Sequence, residues 1–228
     1  MKNLSVSLST VELVLGILYI VIQLLVLPVI LVIANMLFRL NLNEVELNFL
    51  CFAINFICVT VIFHKYLINS GKIAFSQPLT TLKAAGLGLL LYFVSSYVMT
   101  ALVFFIDPDF FNVNDDSIAG MLDQNYVLMS LGAIVLAPVT EEILYRGVVF
   151  GQIYRRWPVA AFIISAAIFS ALHVVGYIGQ YSPMQLLLCY IQYLPPSIVL
   201  AWTYVKADTI WAPILVHIII NAIGVLAM

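Results

Sequence analysis

The sequence predicts an all-α fold, a polytopic membrane bundle of about seven transmembrane helices with its N-terminus inside. Three observations carry this prediction. Hydrophobic residues fill 64% of the 228 positions and charged residues only 9%, whereas soluble chains run at about 45–50% and about 25%. Mean hydropathy is +1.12. Apolar runs close to the roughly 17–25 residues that a span requires recur from one end of the chain to the other.

Taken in order, the runs are 13–38, 47–63, 84–106, 125–154, 157–175, 184–205 and 209–227. The first is much longer than the apolar region of a signal peptide, about 7–15 residues, so it reads as a retained span. The second is short, and residues 65–83 after it have room for an interfacial helix. The fourth is long enough to project beyond the bilayer. Orientation follows from Lys and Arg near the segment ends. Lys65, Lys72 and Lys83 follow segment two, Arg155 and Arg156 follow segment four, and Lys206 follows segment six. The alternate loops, 107–124 and 176–183, contain neither residue, which places Lys2 and the N-terminus inside; Arg39 is the exception.

A net charge of −2 gives no reason to expect nucleic acid as a partner. Cys51, Cys58 and Cys189 are odd in number and lie in apolar runs, so they read as small buried hydrophobes. Prolines gather in the second half. Pro138 lies three residues before Glu141, Pro195-Pro196 is expected to interrupt segment six, and Pro213 precedes His217 by four residues. Broken backbone at membrane depth is tolerated where protein or a watery cavity satisfies the freed carbonyls. Each proline alone is equally explained as a kink.

Within this apolar chain, Glu141, Glu142 and Arg146 stand out, because a charge at the bilayer centre costs roughly 2.5–3.5 kcal/mol on insertion scales. On an α-helix residues four apart share a face and neighbours diverge by about 100°. Glu142 and Arg146 therefore stack as a structural ion pair, while Glu141 points elsewhere and is available for chemistry. Segment five carries His173, with Phe169 and Ser170 on its face. Segment seven carries His217 and Asn221, four apart. The third histidine, His64, lies at a membrane edge and needs no function. Taken singly, the other two histidines and the asparagine could be interhelical hydrogen-bond glue. Together with Glu141 they form a kit for adding water across a peptide bond. Glu141 would be the general base and His173 would orient the water, with His217 and Asn221 donating to the oxyanion. Glu141, His173 and His217 could alternatively ligate a divalent metal such as zinc. The residues leave open whether a cofactor is such a metal or none.

These motifs carry a resemblance. Glu141-Glu142-Ile143-Leu144-Tyr145-Arg146 resembles the E-E-x-x-x-R motif of the CAAX protease and bacteriocin-processing family, also called CPBP or Abi. Phe169 to His173 matches its F-x-x-x-H and His217 to Asn221 its H-x-x-x-N. The resemblance covers residues 125–228, the expected catalytic core, and leaves 1–124 as non-catalytic helices of the same membrane domain. It implies an intramembrane endopeptidase of the type II CAAX-protease kind with Glu141, His173, His217 and Asn221 as catalytic residues. A short or membrane-associated peptide, cleaved in peptide maturation or in a bacteriocin-related role, is the implied substrate. The alternative is a non-catalytic immunity or partner-binding protein on the same scaffold, using the acidic loop 107–124; a transporter with Glu141 as a proton site is a further reading. The expected partners are the lipid bilayer and a peptide or membrane-protein substrate, and the expected location is the cell membrane, as a multi-pass protein.

Overall fold

The computed structural model describes residues 4–228, and the regular structure among them is helical. Nine helices follow in order: α1 Thr10–Leu37, α2 Glu44–Ile62, α3 His64–Ser76, α4 Pro78–Ile106, α5 Val113–Gln124, α6 Tyr126–Tyr154, α7 Pro158–Leu172, α8 Pro183–Ala207 and α9 Trp211–Ala227. The fold is a polytopic helical bundle. Six helices are long and apolar enough to cross a membrane: α1, α2, α4, α6, α8, and α7 taken with the turn that follows it.

The seventh predicted span is the shorter helix α9, of 17 residues. At about 1.5 Å per residue it reaches about 26 Å, just short of a hydrocarbon core of about 30 Å. Its first residues are spent on a turn rather than on helix. Thr209 Oγ1 donates to the Ser70 carbonyl at 2.8 Å, and the Ile210 amide donates to Ser70 Oγ at 2.8 Å.

Local chemistry sets the other boundaries. Capping boxes at Ser9/Glu12 and Asn43/Glu46 open α1 and α2. Pro78, Pro158 and Pro183 begin α4, α7 and α8, where a missing N–H costs nothing. The interval expected to hold an interfacial helix contains α3 and the polar first turns of α4. The acidic loop 107–124 is not an irregular segment: most of it is α5, capped by Asn112, whose side chain accepts from the amides of Asn114 and Asp115. Nor do Pro195-Pro196 interrupt α8, which runs through them. Their φ suits a helix, and the cost is two missing amide donors.

Two prolines do reshape the backbone. α1 and α6 each widen into π-helix, at Ile22–Val26 and Gly132–Leu136, just ahead of Pro28 and Pro138. A ring that can neither donate to nor fit beneath the preceding turn forces that turn open.

α6 is the central helix: 56% of its most apolar window is buried, against 11% for α1 and 6% for α4. The outer helices leave their apolar side chains exposed, as lipid-facing surfaces do. One face of α6 supplies Ile143 and Leu144 to the main core, where they meet Phe63, Phe150 and Ile210. Its other face supplies Glu141 and Tyr145 to a cavity. α4 and α8 are in close contact at Gly88, where any Cβ would collide with the Thr203 side chain.

Candidate active site

The site is built on a third π-helical segment, Glu142–Phe150, which follows Glu141 directly. Within it Glu142 and Arg146 are fully buried, and Arg146 Nη1 lies 3.2 Å from Glu142 Oε1. The predicted ion pair is present. The guanidinium stacks on the Phe169 ring at 4.2 Å from its centre, and Nη2 donates to the carbonyl and hydroxyl of Ser197 at 3.2 and 3.3 Å. Arg146 thereby ties α6 to α7 and to α8, one residue beyond its proline pair.

The two glutamates diverge, Glu142 into the buried pair with Arg146 and Glu141 towards the cavity, yet one histidine meets both. His217 Nδ1 is 2.8 Å from Glu142 Oε1, and His217 Nε2 is 4.0 Å from Glu141 Oε2. One imidazole thus faces both acids. The ring bridges them because its two nitrogens lie at different edges. Glu142 therefore orients His217 as well as pairing with Arg146.

Hydrogen-bond partners define how each imidazole is presented. His173 Nδ1 lies 2.8 Å from the Phe169 carbonyl, which can only accept, so Nδ1 carries the proton. The Glu142 carboxylate draws the Nδ1 proton of His217 in the same way. Both rings, when neutral, turn a lone pair at Nε2 outward. Glu141 Oε2 has no hydrogen-bond partner in the protein, although its side chain is 27% exposed to the cavity.

Asn221 is placed by Pro138. In a π-helix the Ala133 carbonyl accepts from the amide five residues on, and residue 138 has none. Asn221 Nδ2 supplies the missing donor at 2.8 Å. One of the two amide hydrogens expected at an oxyanion is therefore committed to the backbone, and the second is free to donate.

Glu141, His173, His217 and Asn221 all line a single cavity of about 530 Å³. They come from α6, the end of α7, and α9. Among the described residues no group of three His, Cys, Asp or Glu side chains is found that could hold a metal ion.

Sequence reasoning missed several residues of this cavity. Tyr193 stacks on His173, with ring centres 4.2 Å apart and planes at 27°. Its hydroxyl donates to Asp115 Oδ1 at 2.9 Å and accepts from Asn114 Nδ2 at 3.0 Å. Asn112 Nδ2 donates to Gln192 Oε1 at 2.7 Å. Helix α5 is thus a wall of the cavity, not merely a solvated connection. Burial pushes the Asp115 carboxyl above the ordinary aspartate range, and the bonds from Tyr193 and Asn114 offset this only in part. From α1, Gln23 Nε2 donates to the Tyr145 hydroxyl at 2.9 Å. In the sequence Gln192 and Tyr193 are marked by the proline pair beside them, and Asn112, Asn114 and Asp115 only by the acidic loop 107–124 that they share.

Helical architecture and polar cavity together define a membrane protein with a site inside the bundle. Residues 123–223, which contain all four cavity residues and Arg146, match the family model described as type II CAAX prenyl endopeptidase Rce1-like. The match covers that part of the chain alone. YdiL of Bacillus subtilis (strain 168), provisionally named a membrane peptidase, is 27% identical over 101 residues, which are 43% of this chain and 36% of that protein. The match therefore spans about a third of that relative's length. No solved structure matches the chain.

Proposed function

We propose that the protein is an intramembrane endopeptidase that hydrolyses a peptide bond with a water held between Glu141 and the histidines. The observation that carries this reading is the pairing at His217: one carboxylate at Nδ1, a second facing Nε2, and the other imidazole open to the same cavity.

Glu141, with an unpartnered carboxylate oxygen, takes a proton from the water as the resulting hydroxide adds to the scissile carbonyl carbon. His173 accepts the second hydrogen of that water at Nε2 and fixes its direction, while the Phe169 carbonyl fixes the ring. The carbonyl oxygen becomes an oxyanion and receives the remaining Asn221 N–H. His217, which Glu142 holds at Nδ1, donates to the same oxyanion when its Nε2 carries a proton. Collapse of the adduct breaks the C–N bond, and the proton on Glu141 passes to the leaving amine. Arg146 takes no part in proton transfer. It holds Glu142, which holds His217. The substrate in this reading is a short or membrane-associated peptide.

The test compares Glu141→Gln and His173→Ala in purified, liposome-reconstituted protein against a library of internally quenched peptides. Each variant is expected to lose about 10²–10⁴ in turnover at normal folded yield. Undiminished cleavage by both variants refutes the mechanism.

A further inference from the structure

We propose that the cavity contains a cation-recognising subsite at Asp115, and that the peptide it takes carries an ammonium or guanidinium group close to the scissile bond. This rests on the endopeptidase reading and adds the chemistry of its substrate.

The first observation is placement. Asp115 lines the same cavity as Glu141 and both imidazoles, whereas its neighbour Asp116 does not. Its carboxylate is aimed by the Tyr193 hydroxyl at 2.9 Å, and the Tyr193 ring is the surface on which His173 lies, at 4.2 Å. One aromatic ring therefore separates this acid from the imidazole proposed to orient the water. A group bound by Asp115 sits within a residue or two of the bond being cut.

The second observation is the charge of the lining. Its side-chain carboxylates are Glu141 and Asp115, and none of its residues is Lys or Arg. Arg146, the cation nearest the site, is fully buried and committed to Glu142, Phe169 and Ser197. Among the described residues no Lys or Arg forms an ion pair with Asp115. A carboxylate exposed at the cavity wall, with hydrogen bonds from neutral donors alone, is ready for a cation to enter. The same field repels a peptide's terminal carboxylate, which selects for an internal bond over a C-terminal one.

The third observation concerns the rest of the wall. Asn48, Asn55, Asn112, Asn114 and Gln192 line the cavity with neutral amides. Such groups match the alternating N–H and C=O of an extended peptide backbone without regard to its side chains. Selectivity by charge then falls to Asp115.

The experiment uses the full chain with the Glu141→Gln substitution, so that bound peptide is not consumed, in nanodiscs of neutral phosphatidylcholine. Fluorescent decapeptides identical except for one scanned position, occupied by Arg, norleucine or Glu, are titrated by anisotropy. Each is made with a free and with an acetylated N-terminus. At one position Arg is expected to bind about tenfold more tightly than norleucine, with Glu weaker than either. Adding Asp115→Asn, which still accepts from Tyr193, is expected to bring the Arg-to-norleucine ratio close to one, and adding Asp115→Glu to preserve it. Equal binding of Arg and norleucine peptides overturns the proposal, unless acetylation alone produces the Asp115-dependent loss, which identifies the bound cation as the terminal amine. Discrimination that survives Asp115→Asn also overturns it. Mass spectrometry of the preferred peptide with the unsubstituted protein separates the two readings. A peptide that binds by charge but stays intact keeps the subsite and removes the peptidase, whereas cleavage without charge preference does the reverse.

Discussion

Replacing Glu142 by Gln tests the two tasks that one carboxylate oxygen performs. Glu142 Oε1 faces Arg146 at 3.2 Å and His217 at 2.8 Å, with neither glutamate nor arginine side chain exposed. Removing one partner of a buried pair costs about 3–5 kcal/mol, because the other charge is left uncompensated. The lower end applies here, since Arg146 keeps the Phe169 face at 4.2 Å and the Ser197 carbonyl at 3.2 Å. For a chain of this size about 3 kcal/mol lowers Tm by about 6–12 °C. The amide can still accept from His217 Nδ1, but it lacks the charge that holds the ring in place, and peptide turnover should fall about 10²–10⁴-fold. Arg146→Met in the same chain separates the effects. Replacing both charges at once removes the uncompensated cation, so Tm should return to within a few degrees of the parent while turnover stays low. Thermal unfolding in detergent and initial rates on a quenched peptide give the two readings. A double variant no more stable than the worse single one refutes the ion-pair account. A double variant with parental turnover refutes the role assigned to Glu142 at His217.

Other perturbations have defined outcomes. Asn221→Ala leaves the Ala133 carbonyl without its side-chain donor and should destabilise by about 1–3 kcal/mol in denaturant or thermal unfolding, while Asn221→Asp, which sets a carboxylate against that carbonyl, should cost more. Gly88→Val drives a side chain into Thr203 and should destabilise by about 1–3 kcal/mol, and an unchanged Tm would show that α4 and α8 do not rely on that contact. Asp115 predicts a pH dependence. Its folded-state value is raised, so the stability linked to its protonated form is complete at pH below the ordinary aspartate value and is lost as pH rises through the raised one. Tm measured from pH 4 to 7.5 should therefore move in favour of Asp115→Asn over the parent as pH increases, and a difference independent of pH refutes the burial argument.

The helices and the cavity residues of α6, α7 and α9 were legible because burial in lipid leaves a strong mark. An apolar run has a length, and a Glu, His or Asn inside one is conspicuous. What could not be read depends on backbone pitch and on side chains from distant elements. Glu141 and Glu142 lie on different faces, as α-helical angles require, but that one imidazole on α9 meets both is a tertiary fact no local pattern carries. Asn221 was recognised as polar, but its partner exists only because Pro138 withholds an amide from a widened turn. Helix α5 has the composition of a solvated connection, rich in Asp and Asn, and nothing local tells whether Asp115 faces bulk water or a cavity. Tyr193 in an apolar helix looks like any core aromatic until its ring is found on His173. The seventh segment kept its position but lost length to the turn pinned by Ser70, a residue more than a hundred positions away.

The hexapeptide ending at Arg146 is not a transferable unit, because the ring its two acids share belongs to another helix. Grafted without α9, the same six letters would still bring Glu142 beside Arg146, but Glu141 would face no imidazole. A designer working from the motif alone would transplant the clasp and leave the working edge behind.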